Sequence, residues 1–144
     1  MRKLLPLLHR LGERRGSAVV EFAILAPTFI AMLMGIFWVG IQMQQYNALR
    51  SIAADVNRYA VVEYQKENKL DEGQIEDVAR AIAVKVPYQL TGESFDAEVT
   101  LGTSTVSGAK KFILNMGYNP PNFLDYLGIN ATDMNFSQDI YVPA

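Results

Sequence analysis

The residues able to do chemistry in this chain crowd into one short stretch, Arg14 to Phe22, "RRGSAVVEF". Two guanidinium groups come first, then a glycine and a serine, then the carboxylate of Glu21 and the ring of Phe22. From Phe22 to Ile41 there follow twenty residues without a charge. A bilayer core of about 30 Å takes roughly 20 helical residues, so this run is long enough to span one. A carboxylate at mid-bilayer costs about 2.5–3.5 kcal/mol on insertion scales, and less near an interface. Glu21 is therefore either drawn to the interface beside Arg14 and Arg15, or it awaits a partner that offsets its cost. Gly16 and Ser17 are small, and a cut between them would remove the basic leader while leaving the apolar helix on the mature chain.

Other chemistry is scarce. The chain has no cysteine, hence no disulfide framework and no thiolate. Its single histidine, His9, lies in the leader; without the leader neither zinc ligands of the usual kind nor a Ser-His or Cys-His pair could form. No Gly-rich phosphate loop and no distinctive carboxylate pair is present. Glu72, Glu76 and Asp77 fall in the first turns of an expected helix, where its dipole explains them without a metal. The expectation is a non-enzymatic protein with no cofactor and no metal site.

Charge is uneven. The first sixteen residues hold five basic groups and one acid, leaving eight of the 13 basic and fourteen of the 15 acidic residues to the remainder. Positive charge beside a span favours the cytoplasmic side, which predicts the N-terminus inside and the later residues outside. An acidic outer part gives no support for binding nucleic acid, which needs clustered Lys and Arg. The run is also longer than a signal-peptide h-region, and its far end, "WVGIQMQQYNA", lacks an A-x-A site. It reads as an anchor, with Pro27 a candidate kink.

These residues need a long helix to position them. Leu49, Ile52, Val56 and Tyr59 recur at three-four spacing with Ala53 and Ala60 beside them, and Arg50, Asp55 and Arg58 fall off the stripe. The spacing predicts that an amphipathic helix continues to about Tyr64. "QKENKLDEG" is a polar break, after which Asp71 and Gln74 form a capping pair. They start a second helix with Ile75, Val78, Ala79, Ile82 and Val86 inward, stopped by Pro87. From Phe95 the period becomes two: Phe95, Ala97, Val99 and Leu101 alternate with Asp96, Glu98 and Thr100. After the loop "GTSTVSG", Phe112, Leu114 and Met116 alternate again, as do Met134, Phe136, Ile140 and Val142.

The predicted architecture is α+β: a long transmembrane-to-external helix, a shorter second helix, and a small antiparallel sheet of about three strands. Residues 1–16 form the leader, 17–41 the membrane segment and 42–144 the external domain. In "YNPPNFLDYLGIN", Phe123, Leu124, Tyr126 and Leu127 either close the end of the sheet or form an exposed patch. Asn130-Ala131-Thr132 and Asn135-Phe136-Ser137 match the glycosylation tripeptide, to which no glycan is assigned.

The order Arg14-Arg15, Gly16, four small or apolar residues, Glu21, Phe22 and an apolar helix resembles the processing site of type IV prepilin-like proteins. With Pro27 and "YNALRSIAADVNRYA", the wording is most similar to the TadE-like pseudopilins of tight-adherence (Tad, or Flp) pilus systems. Pro6 and the leucines make the leader less purely basic than many. Ser17 stands where other type IV pilins often have Phe or Met, which bears on N-methylation.

The resemblance implies a pilin-like fold and cleavage after Gly16 by a prepilin peptidase. The freed Ser17 amine, with a pKa near 8, would be largely cationic at neutral pH. The resemblance further implies that Glu21 pairs with the amine of a neighbouring subunit, where a misplaced subunit would leave a buried charge unpaired. Implied partners are other Tad/Flp pilins and pseudopilins and the pilus assembly platform of the inner membrane. With about eighty residues beyond the helix, the chain resembles a minor pilin or pseudopilin more than a bulk subunit, serving adhesion and surface colonisation. The implied location is the inner membrane, with passage into an extracellular pilus. The alternative is an uncleaved, signal-anchored accessory envelope protein that binds another assembly component.

Overall fold

A computed structural model describes residues 5–90, 94–121, 128 and 133–144, with side chains from Gly16 onward. Its elements are α1 (Leu5–Gln65), α2 (Glu72–Ala83), β1 (Phe95–Gly102), β2 (Ala109–Tyr118) and β3 (Met134–Pro143). Two helices and a three-stranded antiparallel sheet make it an α+β protein, as the two hydrophobic periods predict. The chain divides into two compact units, with the boundary after Ile41.

The first unit is the early part of α1. Its large apolar side chains face outward all round, with Phe22, Phe29 and Phe37 each more than 60% exposed. Nothing in this unit covers them. By length and composition the helix is a candidate membrane span. It continues through Pro27. Proline has no N–H to donate, so the Ala23 carbonyl lacks its ordinary i+4 partner there.

In the second unit the sheet runs β1-β2-β3, antiparallel throughout. The register is unbroken: Val99 lies opposite Leu114, and Phe112 opposite Ile140. One face carries most of the apolar residues of the three strands. Phe112, Leu114 and Ile140 are fully buried and pack in one cluster with Leu49, Ile52, Val56 and Ile75 from the two helices. Tyr64 sets its ring edge-on to Phe112, at 6.3 Å between centroids, and donates its hydroxyl to the Leu70 carbonyl at 2.8 Å. That bond satisfies a polar atom that burial would otherwise strand.

Local chemistry sets the helix boundaries. Asp71 accepts from the Gln74 N–H at 2.8 Å, and Gln74 Oε1 accepts from the Asp71 N–H at 2.9 Å. This reciprocal capping box starts α2 where the sequence places it. The other end differs from expectation. The helix stops at Ala83, before Pro87, and the chain turns through Lys85 to Tyr88 until the Leu90 N–H reaches the Ala83 carbonyl at 2.9 Å. Ala83 and Leu90 therefore fill the core position expected of Val86, which is 77% exposed. Val78 is only half-buried.

Two further side chains leave the core. Tyr59 is exposed, and Ala60 and Tyr64 continue the buried stripe instead. At about 100° per residue, Ala60 and Tyr64 stay over the face set by Leu49 and Val56, whereas Tyr59 lies at its margin. Leu101 is exposed as well. Bonds from Glu76 to Val99 and from Arg80 to Ala97 show α2 running antiparallel to β1, so Leu101 lies off the N-terminal end of the helix. The apolar residues Phe123 to Leu127 and the tripeptide Asn130 to Thr132 lie outside the described residues.

Candidate functional site

Arg14, Arg15, Gly16, Ser17, Glu21, Phe22 and Pro27 all fall in α1. The helix brings two of them together. Ser17 Oγ donates to Glu21 Oε1 at 3.0 Å, across one turn. Residues four apart lie above one another on a helix, which makes this contact available without distorting the backbone. Spacing alone could have identified it, since a serine four positions before a glutamate is a donor one turn from an acceptor. A carboxylate accepting from a hydroxyl is only partly satisfied, and among the described side chains its second oxygen has no partner. Phe22 is the next residue round the helix and 72% exposed. Pro27 lies more than a turn further on.

Gly16 precedes the pair directly. Nothing lies within 4 Å of where a Cβ would stand on it. Packing among the described residues therefore does not require glycine at this position. Its effect is on the backbone: glycine inside a helix costs about 1 kcal/mol relative to alanine. Gly16 is thus a weak point in the helical backbone, immediately before Ser17.

In the second unit two charged residues of α2, Glu76 and Arg80, bond to the strand beside the helix. Glu76 accepts the Val99 N–H at 2.8 Å. One turn later, Arg80 donates to the Ala97 carbonyl at 2.7 Å and pairs with Asp96 at 3.1 Å. These side chains occupy backbone groups of β1, the strand at one side of the sheet. On the solvent face of the sheet there is an open depression of about 450 Å³, lined by Asp96, Glu98, Asn115, Gly117, Asn135 and Ser137. Gly117 contributes no side chain between its cross-strand neighbours Asp96 and Asn135. The lining includes no histidine, lysine or cysteine to act as base or nucleophile. Among the described residues no three His, Cys, Asp or Glu side chains converge as a metal site.

The two units thus define a class: an α+β protein whose first helix is a candidate membrane anchor. Comparison with known proteins then gives a match over part of the chain. Residues 16–58 match the family model described as TadE-like protein, and over that segment the chain is TadE-like. The match bears out, over that segment, the resemblance carried by Gly16, Glu21 and Phe22. It spans under a third of the chain and ends within α1, so α2 and the sheet lie outside it. Neither the curated proteins nor the solved structures include a match to the chain.

Proposed function

We propose that this chain is a minor pilin or pseudopilin of a Tad/Flp pilus, cut after Gly16 by a prepilin peptidase and acting without catalysis of its own. Residues 1–16 would be removed, 17–41 would cross the inner membrane with the N-terminus inside, and 42–144 would form the external domain. Glu21 would then pair with the Ser17 amine of a neighbouring subunit during assembly with other Tad/Flp pilins and pseudopilins at the inner-membrane platform. Adhesion and surface colonisation are the roles that such a filament would serve. The observation that carries this reading is where the TadE-like match begins: at Gly16, five positions ahead of Glu21, continuing along the apolar helix.

N-terminal sequencing of the chain from cells with and without an active prepilin peptidase tests it. A mature terminus at Ser17, found only where the peptidase is active, supports the proposal. A Met1 leader retained in peptidase-positive cells sinks it. One feature favours the second reading, an uncleaved anchor holding an accessory protein: α1 continues without interruption through Gly16. Proteolysis there would need the helix to open, and the low helix propensity of glycine lowers that cost.

A further inference from the structure

The Ser17–Glu21 hydrogen bond has a directional consequence. A hydroxyl carries one proton, and within a helix serine commonly returns it to the carbonyl four residues back. Here Ser17 Oγ gives it forward to Glu21 Oε1 at 3.0 Å. The carboxylate is thereby held back along the helix toward residue 17, with one oxygen occupied and, among the described side chains, no partner on the other. The residue that fixes Glu21 is also the residue whose backbone nitrogen would become an amine after cleavage at Gly16.

We propose that the Ser17 hydroxyl is a positioning residue for Glu21, fixing the carboxylate rotamer and presenting its free oxygen to the incoming amine of another copy or a related subunit. This rests on the proposed processing and pairing. It gives Ser17 a task that the aromatic or thioether side chains found at this position in other pilins could not perform, since neither offers a proton to a carboxylate. A free glutamate side chain samples several rotamers, and the hydroxyl removes part of that freedom before the partner arrives.

The test uses the full-length chain as wild type, Ser17→Ala, Ser17→Thr and Glu21→Ala. In pilus-forming cells, cleavage is read by N-terminal sequencing and incorporation by the amount recovered with sheared filaments. Ser17→Ala is expected to be cleaved yet recovered about tenfold less than wild type, the scale of one charge-assisted hydrogen bond. Ser17→Thr, which keeps the hydroxyl, is expected to restore recovery. In parallel, the carboxyl carbon resonance of Glu21 is read in the uncut chain in lipid nanodiscs, where cleavage plays no part. It should move in Ser17→Ala and return in Ser17→Thr. An unmoved resonance, or wild-type recovery of cleaved Ser17→Ala, overturns the positioning role. So does a threonine variant as defective as the alanine one. If wild type is cleaved and incorporated while Glu21→Ala is also normal, the pairing itself fails. If wild type is never cleaved, the processing reading fails first.

Discussion

Glu76 on α2 holds the backbone N–H of Val99 on β1 at 2.8 Å, so that a helix side chain completes the hydrogen bonding of a strand. Arg80, one turn on, does the same for the Ala97 carbonyl at 2.7 Å. Open backbone groups at the side of a sheet invite pairing with another chain, and charged side chains placed over them are one way of preventing it. Glu76→Ala should therefore destabilise the fold by about 1–3 kcal/mol, the cost of leaving a part-buried donor unpaired. Glu76→Gln keeps an acceptor oxygen and should lose less. The double variant Glu76→Ala/Arg80→Ala should in addition self-associate. Urea melts of the chain in detergent, with light scattering, read both effects; equal losses for Ala and Gln would rule out the backbone bond as their cause.

The capping box at α2 makes a second prediction. Asp71 accepts from Gln74, and Gln74 returns the bond. Asp71→Ala removes the acceptor of an N-cap and should cost about 0.5–2 kcal/mol. Asp71→Asn keeps an oxygen there and should cost much less. Thermal melts by circular dichroism check the order, and an asparagine variant no better than alanine would contradict it.

Burial along α1 supplies a third. Leu49 is fully buried and Tyr59 is 43% exposed, although a simple three-four stripe would place both inside. Leu49→Ala should lose about 2–5 kcal/mol as a cavity opens beside Ile52. Tyr59→Ser should stay within about 0.5 kcal/mol of wild type, as surface substitutions away from special features usually do. Comparable losses at the two positions would mean that the buried face has been misassigned.

These three cases also mark how far the sequence is legible. The capping pair could be read because its bonds join residues three apart, and the strands because alternation is local. Tyr59, Val86 and Leu101 could not be placed, because their exposure depends on where a neighbouring element stops or how a face drifts over several turns. The clamp of Glu76 on Val99 joins residues 23 apart, and no periodicity encodes it. At the candidate site Arg14 to Phe22 stand out in the sequence by type and spacing. The Ser17 hydroxyl bond was available from the same spacing, but only to a reading that asked where the serine proton goes.

Acid should weaken one corner of the fold. Hydrogen bonds from Asn68, foremost, and from Lys66 hold the Glu63 carboxyl below its ordinary range. The two bonds measure 2.7 and 2.8 Å and tie the end of α1 to the turn that follows. A carboxylate whose folded pKa is depressed adds stability that is present above its unfolded value and lost as pH falls through its folded value. Glu63→Gln should therefore be less stable than wild type at neutral pH, with the difference shrinking on acidification. Paired thermal melts across that range are decisive; a gap that stays constant into strong acid would show that charge is not its source.

The final prediction separates charge from hydrogen bonding at Glu21. Its side chain accepts from Ser17 within the same helix, and the apolar surface beyond it, from Phe22 onward, has no cover within its own unit. Glu21→Ala removes both the charge and the acceptor, whereas Glu21→Gln keeps the acceptor and removes only the charge. If an ion pair with an amine governs assembly, both variants should be cleaved normally and both should be recovered poorly with filaments. An ionised carboxylate in an apolar medium gains from an amine far more than a neutral amide can, because the low dielectric strengthens the pair. If Glu21 only reaches the interface beside Arg14 and Arg15, both variants should assemble as wild type does, since neither leaves a partner unpaired. Glutamine behaving as wild type while alanine fails would instead assign the requirement to the hydrogen bond. Each pattern is distinct in one sheared-filament assay with the cleavage state checked alongside, so the carboxylate's role follows from which of the three is observed.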